Sequence, residues 1–492
     1  MKLIASILPG RVARTALVPF AMSVLLSACM VGPNFERPAA PASQHYDAQA
    51  EQALGGTNKT ADTPHVDLGE KISGDWWSLL GSAKLDAMMH KAIAGNLDLA
   101  AADATIAQAN EAVASAAGGL RPQVGFAAQG GRERAMIGAG IPTTNFYAVG
   151  PQVSFDLDLF GGTKRLVEER KALAEVRRHR FDAAYLTVTG NVASEALLLA
   201  SARAQIDAVQ ALIADDRKNL ELVHAAHRYG SATLVDIALV TTELAQDETL
   251  LPPLAQQRDV ARHTLSVLVG KGPGDWMPPD FDLSDFTLQD NVHVSLPSEL
   301  ARERPDILAA EARLHAASAA VGVATADMYP HLTLSASLAQ AGPGVGTLWG
   351  AAADLAAPLY AGGALKANHR ASIDGYNAAL ADYRQTVVKS LGQVPDVLQA
   401  VNHDSEEYAA QERALNATDT SLKLNQRGYQ VGETGVLQVL DAERSYQRAL
   451  IGQIQAKTAC YLDAVRLSIA LGGNSNGAFE QRVASGGPGP AQ

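Results

Sequence analysis

Two regions of strict alternation interrupt a chain otherwise patterned as long helices. After Pro122, Val124, Phe126 and Ala128 point one way, while Gln123, Gly125 and Gln129 point the other. A return strand follows, with Val153, Phe155, Leu157 and Leu159 alternating with Gln152, Ser154, Asp156 and Asp158. After Pro330 the pattern recurs, with Leu332, Leu334, Ala336 and Leu338 set against His331, Thr333, Ser335 and Ser337. Its return strand, from Leu348 to Leu359, is weaker and rich in Ala. A period of two marks a strand with two unlike faces. Each strand is about ten residues long, enough to cross a bilayer at a tilt with lipid outside and water inside.

Each hairpin leads through a Gly pair into a very long helical pattern, from about Thr163 to Tyr229 and from about Ala364 to Tyr429. Such helices span about 100 Å at 1.5 Å per residue. Pro395 lies inside the second and predicts a kink, and Gly190 and Gly392 mark bends near the middle of each. Turns at Tyr229 to Thr233 and Val431 to Gly435 lead to returning helices. Pro252-Pro253 interrupts the first of these, and the second runs through Gly452. The returning helices stop at Gly270 and at Gly472-Gly473, as C-terminal Gly signals require.

Residues 96–126 and 304–334 align without a gap, placing Asp98 on Asp306, Ala112-Val113 on Ala320-Val321 and Pro122 on Pro330. The period is far longer than a solenoid unit, so the chain holds two copies of a domain-sized element. The expected organisation is a signal peptide over 1–28, a tether over 29–72, and a first repeat over 73–270 with its hairpin at about 122–160. A linker over 271–297 leads to a second repeat over 298–473, with its hairpin at about 330–360, and a disordered tail over 474–492.

The N-terminus sets the compartment. Lys2, Arg11 and Arg14 precede an apolar run that ends in Leu26-Ser27-Ala28-Cys29. That is a signal peptide closing on a lipobox, so Cys29 is the expected lipidated first residue of the mature chain. Several acyl chains hold a protein on a membrane. Met30 after the Cys favours outer-membrane sorting. With only two Cys, the other being Cys460, a disulfide framework is excluded. The composition, 47% hydrophobic but 5% aromatic, is that of long helices. A net charge of −12 argues against nucleic acid. After the signal there is no run of eighteen apolar residues, which excludes a transmembrane helix but not a transmembrane β-barrel. Four tilted strands per chain cannot close a barrel, and lipid forbids an open edge, so the chain must oligomerise; three copies supply twelve strands.

The lipobox followed by Val31-Gly32-Pro33-Asn34-Phe35-Glu36-Arg37-Pro38 resembles the TolC, OprM and NodT family of outer-membrane efflux channels. So do Asp158-Leu159-Phe160-Gly161-Gly162, Arg304-Pro305-Asp306-Ile307, Pro358-Leu359-Tyr360-Ala361-Gly362-Gly363 and Val439-Leu440-Asp441-Ala442. The resemblance implies an α+β membrane protein: a homotrimer with a twelve-stranded barrel in the outer membrane, continued by a periplasmic α-helical barrel. It also implies docking to a periplasmic adaptor (membrane fusion protein) and an inner-membrane pump, for export of drugs or other small toxic molecules. Pro395 and Gln438 depart from the family pattern, the latter standing where an acid is expected.

Enzyme signatures are missing: there is no dinucleotide or Walker A loop and no Cys pair with zinc spacing. No cofactor or metal is expected. His224 and His227 fit a helix's last turn better than a metal site, and Glu311 with His315 reads as a surface pair. Trp76-Trp77 reads as packing, and Asp156 and Asp158 as acidic lumen residues. The adaptor-contacting tip is assigned to Gly230, Ser231, Ala232, Thr233, Gly432, Thr434 and Gly435. The gate is assigned to Asp441, Gln438, Arg444 and Glu433, with Asp441 held by Arg444, Arg427 or Lys423, and with Asp236 as a weaker candidate in the first repeat. A helical adaptor or scaffold lipoprotein is the competing class, and the same channel serving heavy-metal or type I protein export is a variant. Alternating strands favour the channel.

Overall fold

The computed structural model describes residues 30–39, 45–46, 65–68, 75–134, 143–288, 291–294, 297–342 and 346–473. Cys29, the signal peptide and the tail lie outside the described residues. The helices are α1 (Ala83–Gly95), α2 (Leu97–Gly118), α3 (Gly162–Arg228), α4 (Leu234–Glu248), α5 (Leu251–Leu268), α6 (Pro297–Glu303), α7 (Pro305–Ala326), α8 (Ala364–Gln430) and α9 (Val436–Ala470). The strands are β1 (His65–Leu68), β2 (Gln123–Arg134), β3 (Thr143–Asp156), β4 (Asn291–Val294), β5 (His331–Gly342) and β6 (Gly346–Ala356). A shift of 208 residues carries the bounds of α2 and β2 onto those of α7 and β5. The long helices α3 and α8 each have 67 residues.

Two compact units form, and neither follows the linear repeats. One gathers residues 1–38, 105–177 and 309–384; the other gathers 39–104, 178–308 and 385–492. The first unit holds an antiparallel sheet in the order β2-β3-β5-β6. Register fixes its faces, because directly paired residues share a side. Val124 pairs with Val153, Phe155 with Leu334, Leu332 with Leu355 and Leu338 with Trp349. The opposite face holds the pairs Gln123–Ser154, Gln152–Ser337, Ser154–Ser335 and Thr333–Asp354. Leu348, opposite Ala339, is an apolar residue on the polar face. The apolar face finds no cover among the described residues: Val124, Phe126 and Trp349 are 75%, 72% and 81% exposed.

The second unit has the hydrophobic core. Trp76 and Trp77, in a 3-10 turn, are buried with Leu85, Met89, Leu197, Leu265 and Val465. Phe281 and Phe286 belong to the same core, so residues 271–297 are more than a linker. The strand β4 within them pairs in parallel with β1, which lies in the stretch read as a tether. Four-residue strands far apart in sequence leave no periodic signal. α8 runs continuously through Pro395. Gly190 serves close approach, since a methyl group there would lie 2.3 Å from Ile469 Cδ1, whereas Gly392 faces open space. The break at Pro252-Pro253 falls where α5 begins, at its first turn. α3 and α7 each contain an apolar window long enough to span a bilayer, contrary to the exclusion drawn from sequence. The α3 window is 67% buried and the α7 window 44% buried, so Ala-rich packing faces contribute to that hydropathy.

Candidate functional site

Where β3 passes into α3, the placement of Asp156 and Asp158 on one strand face needs correction. Asp156 ends β3 and accepts a hydrogen bond from Thr333 Oγ1 on the polar face. Asp158 lies beyond the strand, accepting from the backbone N–H groups of Thr163 (2.8 Å) and Lys164 (3.0 Å). A carboxylate there satisfies the donors left free at a helix start. The turn carries Gly161 at φ 75°, and the next ring, Phe160, stacks on Tyr329 at 4.6 Å.

Residues 31–37 dock on this junction. Arg165, fully buried, donates to the carbonyls of Val31 (3.1 Å) and Gly32 (3.3 Å) and to Asn34 Oδ1 (2.8 Å). It also pairs with Glu168 at 2.7 Å. Phe35 stacks on His315, and Arg37 binds Glu311 at 2.8 Å. Glu311 and His315 are therefore not paired with each other, because His315 reaches Glu168 at 2.9 Å. Burial pushes Glu168 up, but its bonds to His315 and Arg165 outweigh this and hold it below the usual glutamate value.

The far ends of the long helices, in the second unit, close alike. Gly230 and Gly432 adopt φ 77° and 78°, and the following N–H groups, of Ser231 and Glu433, reach back to Ala226 O and Gly428 O. These are Schellman closures, in which the positive φ requires Gly. His227 Nδ1 donates to Ala232 O at 2.8 Å, so this ring serves turn closure. Among the described residues no cluster of three metal-ligating side chains occurs. Thr233 caps α4 in a reciprocal box with Asp236. The backbone N–H and hydroxyl of Thr233 hold Asp236 below its usual value, which gives it a capping role. Gly435 precedes α9 without a side-chain cap, and Thr434 Oγ1 donates to Asn425 O at 3.1 Å. Gln438, whose N–H donates to Gly435 O, and Glu433 are exposed.

The two turns are joined by an apolar plug of Val223, Val240 and Leu440. Above it two of the bases expected to hold Asp441 are paired elsewhere within the chain. Arg444 binds Glu243 of α4 at 2.7 Å, and Lys423 binds Asp419 at 2.6 Å. Asp441 is exposed. Arg444 is drawn away by acid: Glu243 and Asp247 on α4 and Asp216 on α3 crowd its side of α9. Burial, then the neighbouring Asp247, pushes Asp216 up to about 7, with Arg444 opposing. Asp216 Oδ2 and Asp247 Oδ2 are buried and receive no donor, which fits two carboxyl groups sharing a proton. A second such pair joins α8 to α9: burial and Asp404 push Asp463 up to about 6. Neither pair was legible in sequence, since each member lies on a different helix.

A four-stranded sheet with one polar and one apolar face, both exposed in the single chain, together with two 67-residue helices, fits a channel-type outer-membrane protein. The chain belongs to the outer membrane efflux protein family, which matches residues 88–271 and again 296–473. It is 29% identical over 414 residues to the pyoverdine export outer membrane protein OpmQ of Pseudomonas aeruginosa, covering 81% of this chain and 87% of that one. It is 27% identical to nodulation protein T of Rhizobium leguminosarum bv. viciae, covering 92% of each. The solved outer-membrane channel OprN superposes with a TM-score of 0.79 at 25% identity, covering 90% of this chain and 99% of that one. The protein is thus an outer-membrane efflux channel, as its sequence motifs imply.

Proposed function

We propose that three copies close a twelve-stranded barrel and form a passive conduit for small toxic compounds, receiving them from an inner-membrane pump through a periplasmic adaptor. The observation that carries this reading is the four-stranded sheet, in which β2 and β6 pair on one side only among the described residues. Unpaired strand edges are not tolerated in lipid, and the apolar face of the sheet is exposed in the single chain, as its polar face is. Twelve strands are an even number, so antiparallel pairing continues round the ring.

Acylated Cys29 would anchor the chain in the inner leaflet of the outer membrane. The docked segment after it supports this, since Val31 N–H bonds Phe160 O at the foot of the sheet. The turns at Gly230–Thr233 and Gly432–Gly435 would meet the adaptor, with Tyr229 and Val431 offering apolar surface at 88% and 70% exposure. Asp441, Gln438 and Glu433 would line the closed tip, with Arg444 holding the hairpins together from behind. Small organic cargo is supported by the pyoverdine export named for OpmQ.

The test is complementation. Cells lacking this chain should accumulate an efflux dye, and the wild-type chain should restore export. Ser231→Trp or Thr434→Trp should fail to restore it at normal abundance. Full export by both variants would remove the adaptor-contact assignment.

A further inference from the structure

The junction between the repeats inside one chain is also a template for the junction between copies. This template rests on the closed ring proposed above. Going round such a ring, every passage from first to second repeat within a chain alternates with a passage from second repeat to the first repeat of the next copy. The bounds of α2 and β2 match those of α7 and β5, and α3 and α8 are equally long, so the second kind of junction would bring together the same elements as the first.

Within the chain, β3 hands over to β5. Beside that handover Phe160 stacks on Tyr329, with centroids 4.6 Å apart and planes 26° apart. Just below, Gly162 at the start of α3 faces the end of α7, where an added methyl group would lie 3.0 Å from Ala326 Cβ. The 208-residue shift places Tyr329 on Arg121 and Ala326 on Gly118. The paired motifs place Phe160 on Tyr360, and the starts of the long helices place Gly162 on Ala364.

These four counterparts are unfilled in the single chain. Tyr360 is 90% exposed and Leu359 is 96% exposed, beside the free edge of β6. Arg121 and Ala364 are exposed, and a methyl group added to Gly118 would meet nothing within 4 Å. The residue types are also complementary. The Gly–Ala contact inside the chain returns between copies with its partners exchanged, so one methyl group again fills one gap. The ring-on-ring stack returns as a ring on a guanidinium, which is planar and stacks on aromatic faces.

We propose that Tyr360 of one copy stacks on Arg121 of the next, and that Ala364 packs against Gly118 beneath it. This contact latches the last strand of one copy to the first strand of its neighbour.

The test is cysteine cross-linking in the full-length lipoprotein carrying Cys460→Ser. Gly118→Cys combined with Ala364→Cys, oxidised in membranes, should give a ladder of covalent oligomers on denaturing gels. Neither single variant should do so. Gly162→Cys with Ala326→Cys is the control and should oxidise within one chain, shifting mobility without a ladder. Light scattering in detergent reports assembly separately. An oligomer that gives no ladder while the control pair oxidises would overturn the contact and leave the ring standing. A monomer would overturn both, and a ladder from either single variant would show a different interface. Independently, Arg121→Ala should lower the temperature at which the oligomer dissociates, Arg121→Tyr should restore it, and Arg121→Ala should have no further effect in a Tyr360→Ala background. Additive losses would contradict the stack.

Discussion

Asn96 and Arg304 stand at the same place in the two repeats, and each donates to the last carbonyl of a returning helix. Asn96 Nδ2 binds Leu268 O at 2.9 Å, and Arg304 Nη1 binds Ala470 O at 2.8 Å. Asn96 also caps α2 through the N–H groups of Asp98 and Leu99. Arg304 does more, chelating Asp306 and reaching Gln393 of α8, while Asp306 accepts from Ser390 Oγ. A charged side chain thus ties three helices together in the second repeat, where an amide ties two in the first.

Replacing Arg304 should therefore cost more than replacing Asn96. Arg304→Ala leaves the Ala470 carbonyl, Gln393 and Asp306 short of a donor, worth about 2 kcal/mol, since Asp306 keeps partial access to water. Asn96→Ala loses a cap and one bond, about 1 kcal/mol. Urea denaturation of the detergent-solubilised protein ranks the two. An equal or reversed order would contradict the comparison.

The Asp216–Asp247 pair predicts a pH dependence with a definite sign. Because Asp216 is pushed up to about 7, the folded state holds a proton that the unfolded chain releases above about 4. Stability from this group therefore falls as pH rises through that window and is lost above about 7. Asp463, pushed up to about 6, acts in the same direction. Asp216→Asn should stabilise the protein at pH 8 and flatten its decline between pH 5 and 8. A variant that is less stable than wild type at pH 8 would show that the shared proton is not the controlling feature.

Arg444 and Asp441 should separate by phenotype. Arg444→Ala removes the ion pair to Glu243 and a cation opposing the Asp216 cluster, so hydrogen exchange should quicken in α4 and α9. Asp441→Ala should leave exchange unchanged, because Asp441 is exposed, and should raise conductance if Asp441 lines the closed tip as proposed. Wild-type conductance in Asp441→Ala would exclude it from the gate.

Cys29→Ser should abolish labelling by fatty-acid analogues while assembly persists in part, because a closed barrel has its own affinity for the membrane. Wild-type protein that takes up no label would refute the anchor.

What the sequence disclosed follows from period and spacing. Alternation located the hairpins, and long runs of helix formers between Gly pairs bounded the 67-residue helices to within a residue or two. The misreading of Asp158 was local: alternation was carried to Leu159, past the strand end at Asp156 and into the turn before Gly161-Gly162, where Asp158 caps the following helix. The other gaps were long-range. Nothing near Arg444 in sequence points to Glu243, and nothing near Phe281 announces the tryptophans it packs against. Arg165 has no motif of its own, although the segment it holds carries a family motif.

The central claim is that copies of this chain form a transmembrane conduit. The most direct measurement is single-channel recording of the purified, assembled protein in planar lipid bilayers. Discrete conductance steps are expected, small in wild type and larger in Asp441→Ala. An assembled oligomer that inserts into the bilayer and passes no current in either form would contradict the account.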